Sequence, residues 1–69
     1  MTTYKVQIID MSSVHDMDDY ERALSAASVH YVSGLEELWR FCGGKLHRER
    51  CGYAGMRGNT EYIAEPISR

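Results

Sequence analysis

From Thr3 to Asp10 the chain alternates Tyr4, Val6 and Ile8 with Lys5, Gln7 and Ile9, the two-residue period of a half-buried strand. The pattern then changes. Met17, Tyr20, Ala23, Leu24 and Ala27 recur at spacings of three and four, which favours a short helix capped by Asp16 or Asp18. A hairpin in which Asp18-Asp19 forms the loop and Tyr20–Leu24 a strand is the competing reading. Val29, Tyr31 and Val32 return to strand-forming types across residues 28–32.

Ser33-Gly34-Leu35-Glu36 follows as an S-x-x-E capping box, and Leu35, Leu38, Trp39 and Cys42 fall on one helical stripe ended by Gly43-Gly44. This spacing predicts Trp39 in the core and Phe41 exposed at an interface. Glu36 and Arg40 lie four apart in the favourable order for an outer-face pair. Residues 45–53 read as one strand, Gly55–Asn59 as turn chemistry, and Thr60–Ile67 as a final strand near whose end Pro66 sits.

The resulting order is strand, helix, strand, helix, strand, strand. The expected class is α+β: an antiparallel sheet of about four strands with one or two helices on one face. At 69 residues the chain supports one hydrophobic core, so residues 1–69 form one domain. A core this small yields only roughly 3–5 kcal/mol of net stability, so an added staple is expected, with a homodimer the commonest for an intracellular chain.

Charge changes this picture more than composition does. The net charge of −2 speaks against unspecific attraction to nucleic acid or an anionic membrane. The mean conceals a split, because residues 1–39 carry seven carboxylates against Lys5 and Arg22, whereas residues 40–69 carry six basic residues against three carboxylates. Asp16, Asp18, Asp19 and Glu21 form the acidic cluster, for which the structural account is helix capping and dipole complementation. The functional account is a partner surface, negative charge spaced so as to occupy a phosphate-binding region of another protein. Lys45, Arg48, Arg50 and Arg57, with His47 among them and Tyr53 and Tyr62 interleaved, form the alternative contact surface, one that would meet phosphates and stack bases.

Two other constellations carry chemistry. Cys42, His47 and Cys51, with His30 as a fourth ligand, have zinc-compatible donors, but the C-x4-H-x3-C spacing lacks the paired C-x-x-C of specific zinc sites. Cys51 beside Arg50, with His47 as base, has the parts of a thiol nucleophile. No Walker A, G-x-S-x-G, G-x-G-x-x-G or H-E-x-x-H string occurs. The expectation is therefore a nonenzymatic chain with no metal or cofactor. Two cysteines, no apolar leader after Met1 and apolar runs of at most three residues point to the cytoplasm and to no membrane span.

A chain of this size that begins Met1-Thr2-Thr3-Tyr4-Lys5-Val6, is acidic from Asp16 to Glu21 and has no catalytic signature resembles the phage-encoded anti-defence proteins, especially the anti-CRISPR proteins. No residue matches a family motif, so no functional residue carries over. The resemblance implies a stoichiometric inhibitor that docks on a host protein or ribonucleoprotein complex and blocks nucleic-acid access or nuclease recruitment.

Overall fold

A computed structural model describes residues 1–67. The elements in chain order are β1 (Thr3–Asp10), α1 (Met17–Ser25), β2 (Ser28–Ser33), α2 (Leu35–Phe41), β3 (His47–Glu49), β4 (Gly52–Arg57) and β5 (Thr60–Ile67). The strands form one antiparallel sheet in the order β2-β1-β5-β4-β3. This is the expected α+β class, with five strands where about four were expected.

Strand alternation divides the side chains between two faces. The register places Tyr4, Val6 and Ile8 beside Val32 and His30 on one flank, and beside Ala64 and Tyr62 on the other. This is the inner face, which α2 covers: Leu38 and Cys42 pack with Tyr4, Val6, Val32 and Ala64, and Phe41, Leu46, Tyr53 and Tyr62 surround them. The outer face carries Lys5, Gln7, Val29, Tyr31, Ile63 and Met56. Ile9 is buried on that face, at the end of the sheet where Tyr20 of α1 reaches over to its cross-strand partner Glu61. Thus α2 covers the middle of the inner face, while α1 packs at the end of the sheet, beside Ile8, Ile9 and Glu61.

Residues 17–25 are helical, which decides between the two readings of that segment. Asp16 is the N-cap in extended conformation, and its Oδ1 accepts from the Asp19 N–H at 2.8 Å. At the end of α2 the Gly43 N–H donates to the Arg40 carbonyl at 3.1 Å and the Gly44 N–H to the Trp39 carbonyl at 2.8 Å. These two bonds make a Schellman motif, and its left-handed position is Gly43 with φ 67°.

Three expectations are corrected. The Ser33 capping box does not form: Gly34 is the N-cap of α2, with no side-chain cap bond. The Gly34 N–H donates to the Thr2 carbonyl at 2.7 Å, so the ladder to β1 runs past Ser33 and holds it in β2 with its side chain on the outer face, away from α2. Trp39 is 49% exposed, whereas Phe41 is half-buried. The helix is rolled toward Phe41 because that ring stacks on His30 at 4.6 Å and meets Tyr62 edge-on at 6.0 Å. Finally, residues 45–53 are not one strand. The Lys45-Leu46 backbone crosses directly over Gly55, a short β3 follows, and the chain turns at Arg50-Cys51 into β4. Gly55 therefore lies inside a strand, at a point of close backbone approach, and the turn itself is reduced to Gly58-Asn59.

Candidate docking surface

The acidic residues gather around the N-terminus of α1 because the cap itself is built from them. Asp16 holds the Asp19 N–H, and Asp19 in turn accepts from the His15 N–H at 3.2 Å and pairs with Arg22. The Arg22 guanidinium, with the His15 N–H second, holds the Asp19 carboxyl below its usual range. The carboxyl pKa of Asp10, at the end of β1, is lowered by the Ser12 hydroxyl and backbone N–H. Asp16 and Asp19 are thus occupied with local structure. Asp18 and Glu21, one turn apart on α1, are exposed and make no hydrogen bond or ion pair among the described residues. The helix that carries them is tied down by the cap and by the Tyr20 hydroxyl, which donates to Glu61 Oε1 at 2.9 Å. Burial and the Glu61 carboxylate raise the Tyr20 pKa, so the hydroxyl stays protonated as the donor.

A cleft of about 480 Å³ lies between α1 and the sheet end, lined by Ile8, Asp10, Val14, Asp19, Arg22 and Thr60. Its carboxylates are the two already bound to Ser12 and Arg22, which makes it a polar recess beside the acidic surface rather than a set of free acid–base groups.

The basic residues are dispersed. Lys45 lies in the crossing segment, Arg48 on β3, Arg50 in the β3–β4 turn and Arg57 at the end of β4, all exposed. Arg57 lies along the C-terminal turn of α2: a Cβ on Gly43 would stand 3.1 Å from its Cδ and Nη1. A cation there complements the negative end of the helix. Tyr53 and Tyr62 are not an open stacking platform. Both face inward, Tyr53 edge-on to Tyr4 at 5.9 Å and Tyr62 edge-on to Phe41.

The zinc and thiol constellations do not assemble. Cys42 is fully buried beneath α2, where burial pushes its thiol pKa up, whereas Cys51 is exposed at the β3–β4 turn. His30 is stacked on Phe41, and His47 Nε2 lies 2.8 Å from Glu49 Oε1 instead of serving Cys51. Among the described residues no three His, Cys, Asp or Glu side chains converge as a metal would require. No helix of the described residues is long and apolar enough to cross a membrane.

Sequence reasoning passed over the edge of β2. Val29 and Tyr31 are 47% and 59% exposed on a strand that pairs on one side only. The signal was present in the letters, since residues 28–33 are six strand residues without a charge.

A scan of protein-family models and searches of curated proteins and of solved structures return no match to this chain.

Proposed function

We propose that this chain is a noncatalytic inhibitor that binds a host nucleic-acid-processing complex, foremost a CRISPR surveillance complex or its nuclease, in the cytoplasm of the host. It occupies a basic nucleic-acid surface of that target with the carboxylates of α1. The observation that carries this reading is the pair Asp18 and Glu21: exposed, unpaired, and held on a helix fixed by the Asp16–Asp19 cap and by the Tyr20–Glu61 bond. Charges on a rigid element lose little freedom on docking, and a cluster of one sign steers encounter with a surface of the other. Asp16 and Asp19 add to the field while they hold the cap.

The test is a titration of purified target complex with this protein, read as loss of target-DNA binding or cleavage. Wild-type protein inhibits at a one-to-one ratio of binding sites. The variant Asp18→Lys/Glu21→Lys, which leaves the cap intact, loses about tenfold or more in potency, beyond the roughly 1 kcal/mol of an isolated surface pair. Full potency in that variant rejects the acidic surface, and no inhibition by the wild type rejects the inhibitor reading for that target.

The second reading is nucleic-acid binding by Lys45, Arg48 and Arg50, favoured by their exposure along the β3 edge of the sheet. With Tyr53 and Tyr62 turned inward, it rests on phosphate contacts alone, so any gel shift must disappear steeply with salt.

A further inference from the structure

The two edges of the sheet are built differently. β3, at one edge, has three residues, all polar or charged, and is followed by Arg50. Short length and charge are the usual means by which an edge strand is kept from pairing. β2, at the other edge, is twice as long, carries no charged residue, and exposes Val29 and Tyr31.

The direction of its free backbone groups follows from one bond. Gly34 donates to the Thr2 carbonyl, and in an antiparallel ladder hydrogen-bonded pairs alternate with non-bonded ones. Val32, His30 and Ser28 therefore turn their N–H and C=O groups to β1, while Val29, Tyr31 and Ser33 turn theirs outward. No other element accepts or donates to these outward groups among the described residues.

We infer that the outer edge of β2 is a self-association surface, on which a second copy of this chain pairs antiparallel about a two-fold axis through Tyr31. The occupant is a second copy because the strand is complementary to itself. About that axis Tyr31 meets the partner copy's Tyr31 and Val29 meets its Ser33, so all the outward groups bond at once, giving about six interchain hydrogen bonds. An axis moved by one residue to His30 matches only the Val29 and Tyr31 groups and gives about four. No like charges oppose each other in either strand. The result is a continuous ten-stranded sheet with each β3 at an outer edge. This inference does not depend on the acidic surface of α1.

Sedimentation equilibrium of the wild-type chain tests it, with an expected mass of twice 7.9 kDa at micromolar concentrations. Tyr31→Lys opposes two cations across the axis and raises the dimer dissociation constant roughly tenfold or more, with unchanged far-UV circular dichroism. The register is read by oxidative cross-linking in a Cys51→Ser background. Tyr31→Cys forms a covalent dimer, since directly opposed residues sit about 5.5 Å apart at Cα, within disulfide reach. Val29→Cys does not, because the two copies of that residue lie about 13 Å apart along the strands. A monomer at every concentration, a dimer indifferent to Tyr31→Lys, or equal cross-linking at positions 29 and 31 overturns the inference. If Tyr31→Lys fails to fold, mass and cross-linking decide.

Discussion

Replacing Gly55 by alanine probes the point where the chain crosses itself. A Cβ at that position would stand 1.7 Å from the Lys45 carbonyl oxygen and 2.8 Å from its carbon. Both atoms are backbone, so no side-chain rotation relieves the clash, and either the Lys45-Leu46 segment lifts or β4 recedes from the helix layer. Forcing a methyl group into a packed site costs about 1–3 kcal/mol. Lifting Leu46 off the Tyr53 and Tyr62 side of the core adds about 1 kcal/mol, a fraction of the value for a fully buried leucine. The total of about 2–4 kcal/mol is most of the roughly 3–5 kcal/mol that a core of this size supplies. Urea unfolding, followed by far-UV circular dichroism and Trp39 emission at one fixed protein concentration, measures it. Gly58→Ala is the control: nothing lies within 4 Å of its would-be Cβ, and only the left-handed φ of 61° is penalised, by about 1 kcal/mol. An unchanged midpoint for Gly55→Ala, or a larger loss for Gly58→Ala, would show that the crossing is not where the structure puts it.

Two further outcomes are expected. Asp19 has a folded pKa below its unfolded one, so its pairing with Arg22 and His15 adds stability above the unfolded carboxylate pKa, near 4. That increment is lost as pH falls through the lower folded pKa, and acid titration of Asp19→Asn should show a smaller drop over that window than wild type; an equal drop refutes the assignment. Thiol labelling separates the cysteines: Cys51 reacts with an aromatic disulfide reagent at the rate of an exposed thiol, and Cys42 only when the protein opens, since burial both shields it and suppresses its thiolate. Equal rates under native conditions would contradict the buried position under α2.

Much of the fold was legible because local rules and tertiary contacts agreed. The alternation of residues 3–10 and the Gly43-Gly44 stop each encode their element within a few residues and form as read, and of the two cap candidates Asp16 and Asp18 it is Asp16 that caps α1. Misreadings arose where a distant partner overrode the local signal. Ser33 has a capping-box sequence, but the bond from Gly34 to Thr2, some thirty residues away in the chain, keeps it in the strand. Trp39 and Phe41 exchange their expected environments because His30 and Tyr62 supply a stacking site that no spacing within α2 reveals. Gly55 looks like turn chemistry until Lys45 is seen to pass over it.

The candidate site followed the same division. The clustering of Asp16, Asp18, Asp19 and Glu21 could be read from the letters, because a helix keeps neighbours in sequence close in space. Which of them are spent on the cap and which remain open could not. The basic set was harder still, since Lys45, Arg48, Arg50 and Arg57 belong to four different segments and Arg57 is drawn to the end of α2.

The central position of β1 sets a condition on biosynthesis. Its eight residues align with Thr60–Ile67 along their whole length, so β1 waits for a partner made some fifty residues later. Only the flank toward β2 can pair earlier, and a nascent chain halted before residue 60 would offer the other side of β1 to chaperones or to stray strands. Synthesis of residues 60–67, more than any local nucleation, then times the completion of this sheet.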